Sequence, residues 1–167
     1  IVGDNWGLCC NSLHYLDFFY GFSGSKKLNI IEKKKFRWIK SKRKNYYELI
    51  NGNLQINAGS HCLNLYSNKK VSEKTYWLKV LIKNKNNRWL IVEKPGENIV
   101  FHKGVKKSFK AEYLSIRMTK IIFDIIKNKN VRISKYKDAT VNYRPLIQFF
   151  ENKWKLSHKN ATVVPIT

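Results

Sequence analysis

Acidic residues are scarce in this chain: 11 Asp and Glu stand against 33 Lys and Arg in 167 residues, a net charge of +22. A nuclease needs clustered carboxylates to hold its metal ions. From residue 76 onward the acids are Glu93, Glu97, Glu112, Asp124, Asp138 and Glu151, and their spacing places no inward cluster on the expected strands. Cysteine is nearly as sparse, with Cys9, Cys10 and Cys62. An odd count argues against a disulfide framework and suits a reducing compartment. With His14 and His61 these thiols could form a zinc site, but the adjacent pairs Cys9-Cys10 and His61-Cys62 depart from ordinary ligand spacing. Buried or idle thiols are the simpler reading. There is no G-x-x-x-x-G-K-[ST] phosphate loop. His14, His61, His102 and His158 each lack a motif partner for nucleophilic catalysis, so a surface or nucleic-acid-facing role is expected for them. No apolar run reaches the ~18 residues of a membrane-spanning helix. No basic leader precedes an apolar stretch, so no signal peptide is expected. These shortages lead to the expectation of a protein without catalytic residues, metal or cofactor, not an enzyme.

What is present points toward a polyanion. Hydrophobic content of 43% and aromatic content of 14% suffice for a core. A charge of +22 repels itself unless a counter-surface neutralises it. Nucleic acid is the first candidate and an anionic membrane the second. Six of the 33 basic residues are Arg, while Lys, Asn, Ile, Tyr and Phe abound. That usage suits an AT-rich genome. The chain starts at Ile1, which fits either a fragment or a relaxed start codon, and an organelle-encoded mitochondrial protein is expected.

The central stretch is residues 78–101. Leu78, Val80 and Ile82 alternate with lysines and a leucine; Asn84-Lys85-Asn86-Asn87 has turn composition; Trp89 to Val92 is a second apolar run. Pro95-Gly96-Glu97-Asn98 is a second turn, and Ile99 opens a third strand. Upstream, residues 1–25 are rich in aromatics, with Gly21 and Gly24 expected to close any helix quickly. They read either as a segment packed on its own chain or as a docking arm for a neighbour. Residues 26–44 hold ten Lys or Arg and one Glu around Phe36 and Trp38. Lysines neutralise phosphates and aromatics stack on unpaired bases, so RNA contact, a solvated face and a membrane surface are all open. Residues 46–56 read as a hairpin with a type I′ turn at Asn51-Gly52, pairing Leu49 with Leu54 and Tyr47 with Ile56. A further strand is expected at Cys62–Tyr66, and residues 67–75 as a join. A helix capped by Ser108 is expected to reach Lys127, roofing the sheet with Leu114, Met118, Ile121, Ile122 and Ile125. Then follow a strand at Val131–Ser134, a polar loop at Lys135–Tyr143, a second helix with Pro145 in its first turn, and a last strand at Lys153–Ser157.

Four motifs within residues 76–167 carry a resemblance: Asn86-Asn87-Arg88-Trp89-Leu90-Ile91-Val92, Gly96-Glu97-Asn98, Asn128-Lys129-Asn130-Val131-Arg132-Ile133 and Ala161-Thr162-Val163-Val164-Pro165-Ile166. In this order they resemble the universal small-subunit ribosomal protein of the S-eleven family. The resemblance implies an α/β, ribonuclease-H-like β-β-β-α-β-α-β domain at 76–167, with a basic extension at 1–75. It implies a non-catalytic constituent of the small, mitochondrial ribosomal subunit, binding rRNA at the platform near the mRNA exit. Neighbouring ribosomal proteins and exiting mRNA would be partners, with no small-molecule substrate and no membrane span. Carried over by position, Lys85, Asn86, Asn87, Arg88, Lys103, Lys106, Lys107, Lys110, Lys135, Lys137 and Arg144 would approach RNA. To these the basic run adds Lys33, Lys34, Lys35, Arg37, Lys40, Lys42, Arg43 and Lys44. A free-standing organellar RNA-binding or processing factor, and a basic accessory subunit of a membrane complex, are the alternatives.

Overall fold

A computed structural model describes residues 1–4, 6–24, 27–41, 43–68, 78–111, 114–128, 136–159 and 164–166, with backbone alone for 114–118, 128 and 136–138. The chain is a mixed α/β protein, and its contacts divide it into two compact units, Ile1–Glu73 with Tyr136–Thr167, and Lys74–Lys135.

The first unit holds β1 (Val2–Asp4), α1 (Leu8–Ser23), β2 (Asn29–Lys34), β3 (Arg37–Lys40), β4 (Tyr47–Ile50), β5 (Gly52–Ala58), β6 (His61–Asn68) and, from the far end of the chain, α3 (Tyr136–Ser157). Its centre is β5. Alternate residues Leu54, Ile56 and Ala58 are fully buried, the two-residue period of a strand with one face on a core. β2 and β6 flank β5 antiparallel, and β1 lies parallel to β6. The basic run therefore becomes ordered structure, β2 and β3.

The expected hairpin at 46–56 does not form. β4 pairs with β3, setting Leu49 opposite Trp38, while Leu54 lies opposite Leu65 of β6. Asn51 does take a positive φ of 58°, as a turn residue should, but it redirects the chain between two different sheets. Both flanking strands are apolar, and burying them against separate partners outweighs the local turn preference. The next turn is a hairpin: Gly59, at φ 59°, joins β5 to β6 with Ala58 opposite His61.

α1 also outlasts the expectation. It runs through Gly21 and stops at Gly24, whose φ is 61° and whose N–H donates to the Tyr20 carbonyl at 3.0 Å. A glycine inside a helix costs about 1 kcal/mol. Burial of Leu8, Cys9, Leu16 and Phe19 on the opposite face more than offsets that.

α3 replaces three expected elements. The polar loop belongs to it from Tyr136, Pro145 lies inside it, and Lys153–Ser157 is its last turn instead of a strand. Leu146, Phe150 and Trp154 are buried at four-residue spacing, a helical stripe that continues into the supposed strand. Trp154 meets Trp38 edge-on at 5.0 Å and Tyr47 at 4.7 Å, and His158 stacks on it at 3.7 Å. Lys153 pairs with Glu32 of β2.

The second unit is an antiparallel meander followed by a helix: β7 (Leu78–Lys83), β8 (Arg88–Lys94), β9 (Glu97–His102), β10 (Val105–Lys110) and α2 (Leu114–Asn128). The three expected strands and both turns are present. At the first turn the Asn84 side-chain oxygen accepts the N–H groups of Asn86 and Asn87, at 3.0 and 2.8 Å. A fourth strand was missed. Lys103 and Gly104 take φ of 49° and 77°, and two successive positive φ values make a tight hairpin of what looked like a basic loop. Ser108 sits in β10 opposite Ile99 and bonds Glu97, so it caps no helix. The expected roof differs too: Ile121 and Ile122 are 36% and 50% exposed. The side chains of Leu114 and Met118 and the expected strand at Val131–Ser134 lie outside the described residues. With four strands before α2 and helix at Lys153–Ser157, the ribonuclease-H-like order is not the order of this chain.

Candidate active site

The first unit concentrates chemistry on the solvent side of α1. Leu8, Ser12, Leu16 and Phe19 fill its inner face. The residues at i, i+4 and i+7 on the other side are Cys10, His14 and Asp17, and these fall on one stripe. Cys10 and His14 are exposed; Asp17 is half-buried. Phe18 and Phe22 flank the stripe edge-to-face, 4.7 Å apart and 44% and 61% exposed.

α3 supplies the second wall. The Tyr143 hydroxyl donates to the Asp17 carboxylate, and the Tyr20 hydroxyl donates to the Asn142 carbonyl at 3.0 Å. Burial, then the Asp17 hydrogen bond and charge, push the Tyr143 phenol up to about 12. Burial and the Asp17 charge also raise Tyr20. Asp17 is thereby a carboxylate with a fixed hydroxyl donor, one helical turn from an exposed imidazole.

Glu48 of β4 sets the register of α1. Its buried carboxylate accepts the N–H groups of Cys9 at 2.5 Å, Cys10 at 3.4 Å and Leu49 at 3.0 Å. It fills the positive end of the helix with the chain's own anion. A side chain at Gly7 would overlap it, which is why glycine precedes the helix. The segment before α1 is tied down as well: the Trp6 indole donates to the Tyr66 carbonyl at 2.6 Å, and the Ser67 hydroxyl donates to the Trp6 carbonyl at 2.9 Å. Burial, reinforced by Glu48, raises the Cys9 thiol far above its ordinary value, so this sulfur is inert. All three cysteines are free, and among the described residues no three His, Cys, Asp or Glu side chains gather to hold a metal ion.

The residues expected to meet RNA are distributed over both units. Lys33, Lys34, Lys35, Arg37, Lys40, Arg43 and Lys44 are exposed on β2, on β3, in the link between them and in the turn after β3, in the first unit, and Arg144 is exposed on α3. Lys85, Asn86, Arg88, Lys103, Lys106, Lys107 and Lys110 are exposed in the second unit, at its turns and along β10. Asn87 is half-buried, with its amide oxygen 3.2 Å from His102 Nε2. Lys42 and Lys135 lie outside the described residues, as does the Lys137 side chain. Sequence reasoning set His14 aside for want of a motif partner and did not single out Asp17. The i, i+4, i+7 spacing of Cys10, His14 and Asp17 was the available signal.

No protein-family model matches the chain, and no curated protein sequence matches it significantly. Solved structures do. A dehydrogenase (MviM) from Clostridium difficile superposes with a TM-score of 0.58 at 11% identity, over 91% of this chain and 52% of that one. The Bacillus subtilis protein YvaA, described provisionally as an oxidoreductase, superposes with a TM-score of 0.50 at 12% identity, over 93% of this chain and 55% of its own. The chain shares a fold with these proteins. It spans about half the length of each.

This likeness overturns the ribosomal reading. The S-eleven resemblance left residues 1–75 unexplained, whereas the dehydrogenase fold accounts for nine-tenths of the chain, the N-terminal segment included. The rRNA, ribosomal-protein and mRNA partners go with it, and so do the two alternatives, an RNA-processing factor and an accessory subunit of a membrane complex. The expectations of no enzyme and no small-molecule substrate are corrected as well, since the fold is one that oxidoreductases use. The physical reason is that short turn motifs such as Asn86-Asn87 and Gly96-Glu97-Asn98 suit any β-meander.

Proposed function

We propose that this chain is the substrate-facing half of a dehydrogenase-type oxidoreductase, with the Cys10–His14–Asp17 stripe of α1 and Tyr143 of α3 as its proton-handling surface. The observation that carries the proposal is the fold likeness to a dehydrogenase over 91% of the chain. The stripe supports it by placing an exposed imidazole beside a carboxylate with a fixed hydroxyl donor, flanked by open aromatic rings.

A nicotinamide dinucleotide, a common hydride acceptor, does not fit the residues of this chain. Its binding fold needs a G-x-G-x-x-G turn between a strand and a helix of a parallel sheet. The eight glycines include no such run. Among the described residues, of the strand pairs within each unit, β1 with β6 is parallel and the rest are antiparallel. The acceptor is therefore held by another domain or subunit, and this chain's share is the proton half of the reaction. His14 takes the proton of a substrate hydroxyl while the carbon-bound hydrogen leaves as a hydride to a two-electron acceptor held outside this chain, so that the carbonyl forms, and Asp17 with Tyr143 keeps that face of α1 against α3. Phe18 and Phe22 cover the apolar side of a small substrate.

The test is oxidation of a panel of small hydroxy compounds by the complete enzyme, followed through reduction of the acceptor. His14→Ala should lower turnover roughly 10²- to 10⁴-fold, the usual worth of a general base. Turnover equal to wild type in that variant, or no oxidation with any acceptor and substrate, would sink the proposal.

A further inference from the structure

β10 (Val105–Lys110) is exposed along its whole length, on both faces of its sheet. Among the described residues it is bordered by β9 alone, so its other edge is open. The register shows which backbone groups that edge offers. Lys103 and Gly104 form a two-residue hairpin loop between His102 and Val105. In such a hairpin the flanking pair exchanges both backbone hydrogen bonds, and every second pair after it does the same. Val105, Lys107 and Phe109 therefore turn their N–H and C=O groups toward β9, and the Ala111 N–H, next in that series, donates to the Gly96 carbonyl at 3.0 Å. Lys106, Ser108 and Lys110 direct theirs outward.

The side chains along that edge narrow the occupant. Lys106, Ser108 and Lys110 line one face, where the Ser108 hydroxyl engages the Glu97 carboxylate. Val105 and Phe109, 54% and 53% exposed, lie on the other face with Lys107 between them. Lysines on an edge strand guard against pairing with a second copy, because like charges would stand directly opposite. The same lysines favour a strand that carries carboxylates. A polyphosphate or a lipid headgroup layer would meet the lysines, but neither presents an amide ladder to open backbone groups spaced about 7 Å apart.

We propose that β10 binds an acidic segment of a partner protein as an added strand. The backbone of that segment pairs with Lys106, Ser108 and Lys110, its carboxylates lie on their face, and its apolar residues cover Val105 and Phe109. The site uses residues of the second unit alone and stands apart from the proposed chemistry. One added strand of this length makes a small contact, so Kd is expected on the order of 10–100 μM. It should rise roughly 10-fold between about 0.05 and about 0.3 M salt, as the exposed ion pairs are screened.

Fluorescence anisotropy of the full chain with a labelled Glu-Val-Glu-Phe-Glu-Val-Glu peptide tests this. Saturable binding is expected, and the peptide with Lys in place of Glu should not bind. Two versions N-methylated on alternate residues, of opposite parity, should differ: one loses the amide groups that face β10 and fails, and the other keeps them and binds. Ser108→Pro removes an outward N–H, a change that an edge strand tolerates. It should weaken binding roughly 10-fold with the circular dichroism spectrum unchanged, while Ser108→Ala should bind as wild type does. Lys106→Glu with Lys110→Glu should lose the Glu peptide and gain the Lys peptide, which keeps the test decisive should the proline variant fold poorly. No saturation up to about 1 mM peptide, equal behaviour of the two N-methylated versions, or a charge-reversed chain that still prefers the Glu peptide overturns the proposal. A single-stranded oligonucleotide or phosphatidylglycerol vesicles bound more tightly than the peptide, with no loss in Ser108→Pro, would give the strand to a polyanion and overturn it as well.

Discussion

Tyr143 and Asp17 show how one hydrogen bond reaches both stability and chemistry. The bond joins α3 to α1 beside His14 and holds the phenol protonated up to a pH of about 12, against an ordinary value of 10. The sign follows from proton counting. Between those two values the unfolded chain has lost the phenolic proton and the folded chain has kept it, so folding binds more protons and stability falls as pH rises. Below the lower value the contribution is fully present. Urea midpoints measured from pH 9 to about 12 should decline in the wild type, and part of that slope should vanish in Tyr143→Phe. Equal slopes would show that the bond does not form in solution. Glu48 acts similarly on a single helix end, since three backbone N–H groups depend on one buried carboxylate.

Among the elements, α3 closes the core of the first unit. Its stripe of Leu146, Phe150 and Trp154 closes over the β3–β4 ribbon and α1. Phe150, at 1% exposure, has no route to solvent. Phe150→Ala should cost about 3–5 kcal/mol by the loss of transfer energy and the cavity left behind. Chemical denaturation would read this directly, and a change under 1 kcal/mol would mean that α3 does not close the core. The Lys153–Glu32 pair beside it is partly exposed and adds little. The strands β7, β8 and β9 were legible because their alternation and Asn- or Gly-containing turns are local properties. β10 was not, because Val105-Lys106-Lys107-Ser108-Phe109-Lys110 is exposed along its whole length and has no apolar face to show. α3 was misread where its apolar stripe passes through Pro145 and a run of lysines. The Asn51-Gly52 pair misled for the opposite reason. Its turn preference is genuine, but Gly52 is also where the Phe36 ring packs against the backbone, leaving no room for a side chain.

For the molecule as a whole the governing quantity is its charge. Thirty-three cations and 11 anions repel in the folded state more than in the expanded one. Moderate salt should therefore raise the melting temperature by a few degrees, about 1 kcal/mol in a chain of this size, before any specific binding. A melting temperature independent of salt between about 0.01 and 0.15 M would show the charges to be too dispersed to matter. The same excess of charge drew the sequence reading toward RNA. Net charge speaks to solubility and to the sign of a partner, and not to fold.

The sequence by itself determined the mixed α/β class and the β7–β9 meander with its two turns, since each rests on composition or on patterns a few residues long. Only the tertiary structure decided that β4 and β5 part company, that α3 returns to the N-terminal segment, and that Asp17 meets Tyr143 across 126 positions of chain. Those are long-range pairings, selected by which apolar faces can be buried together. No local preference along a single chain encodes that choice.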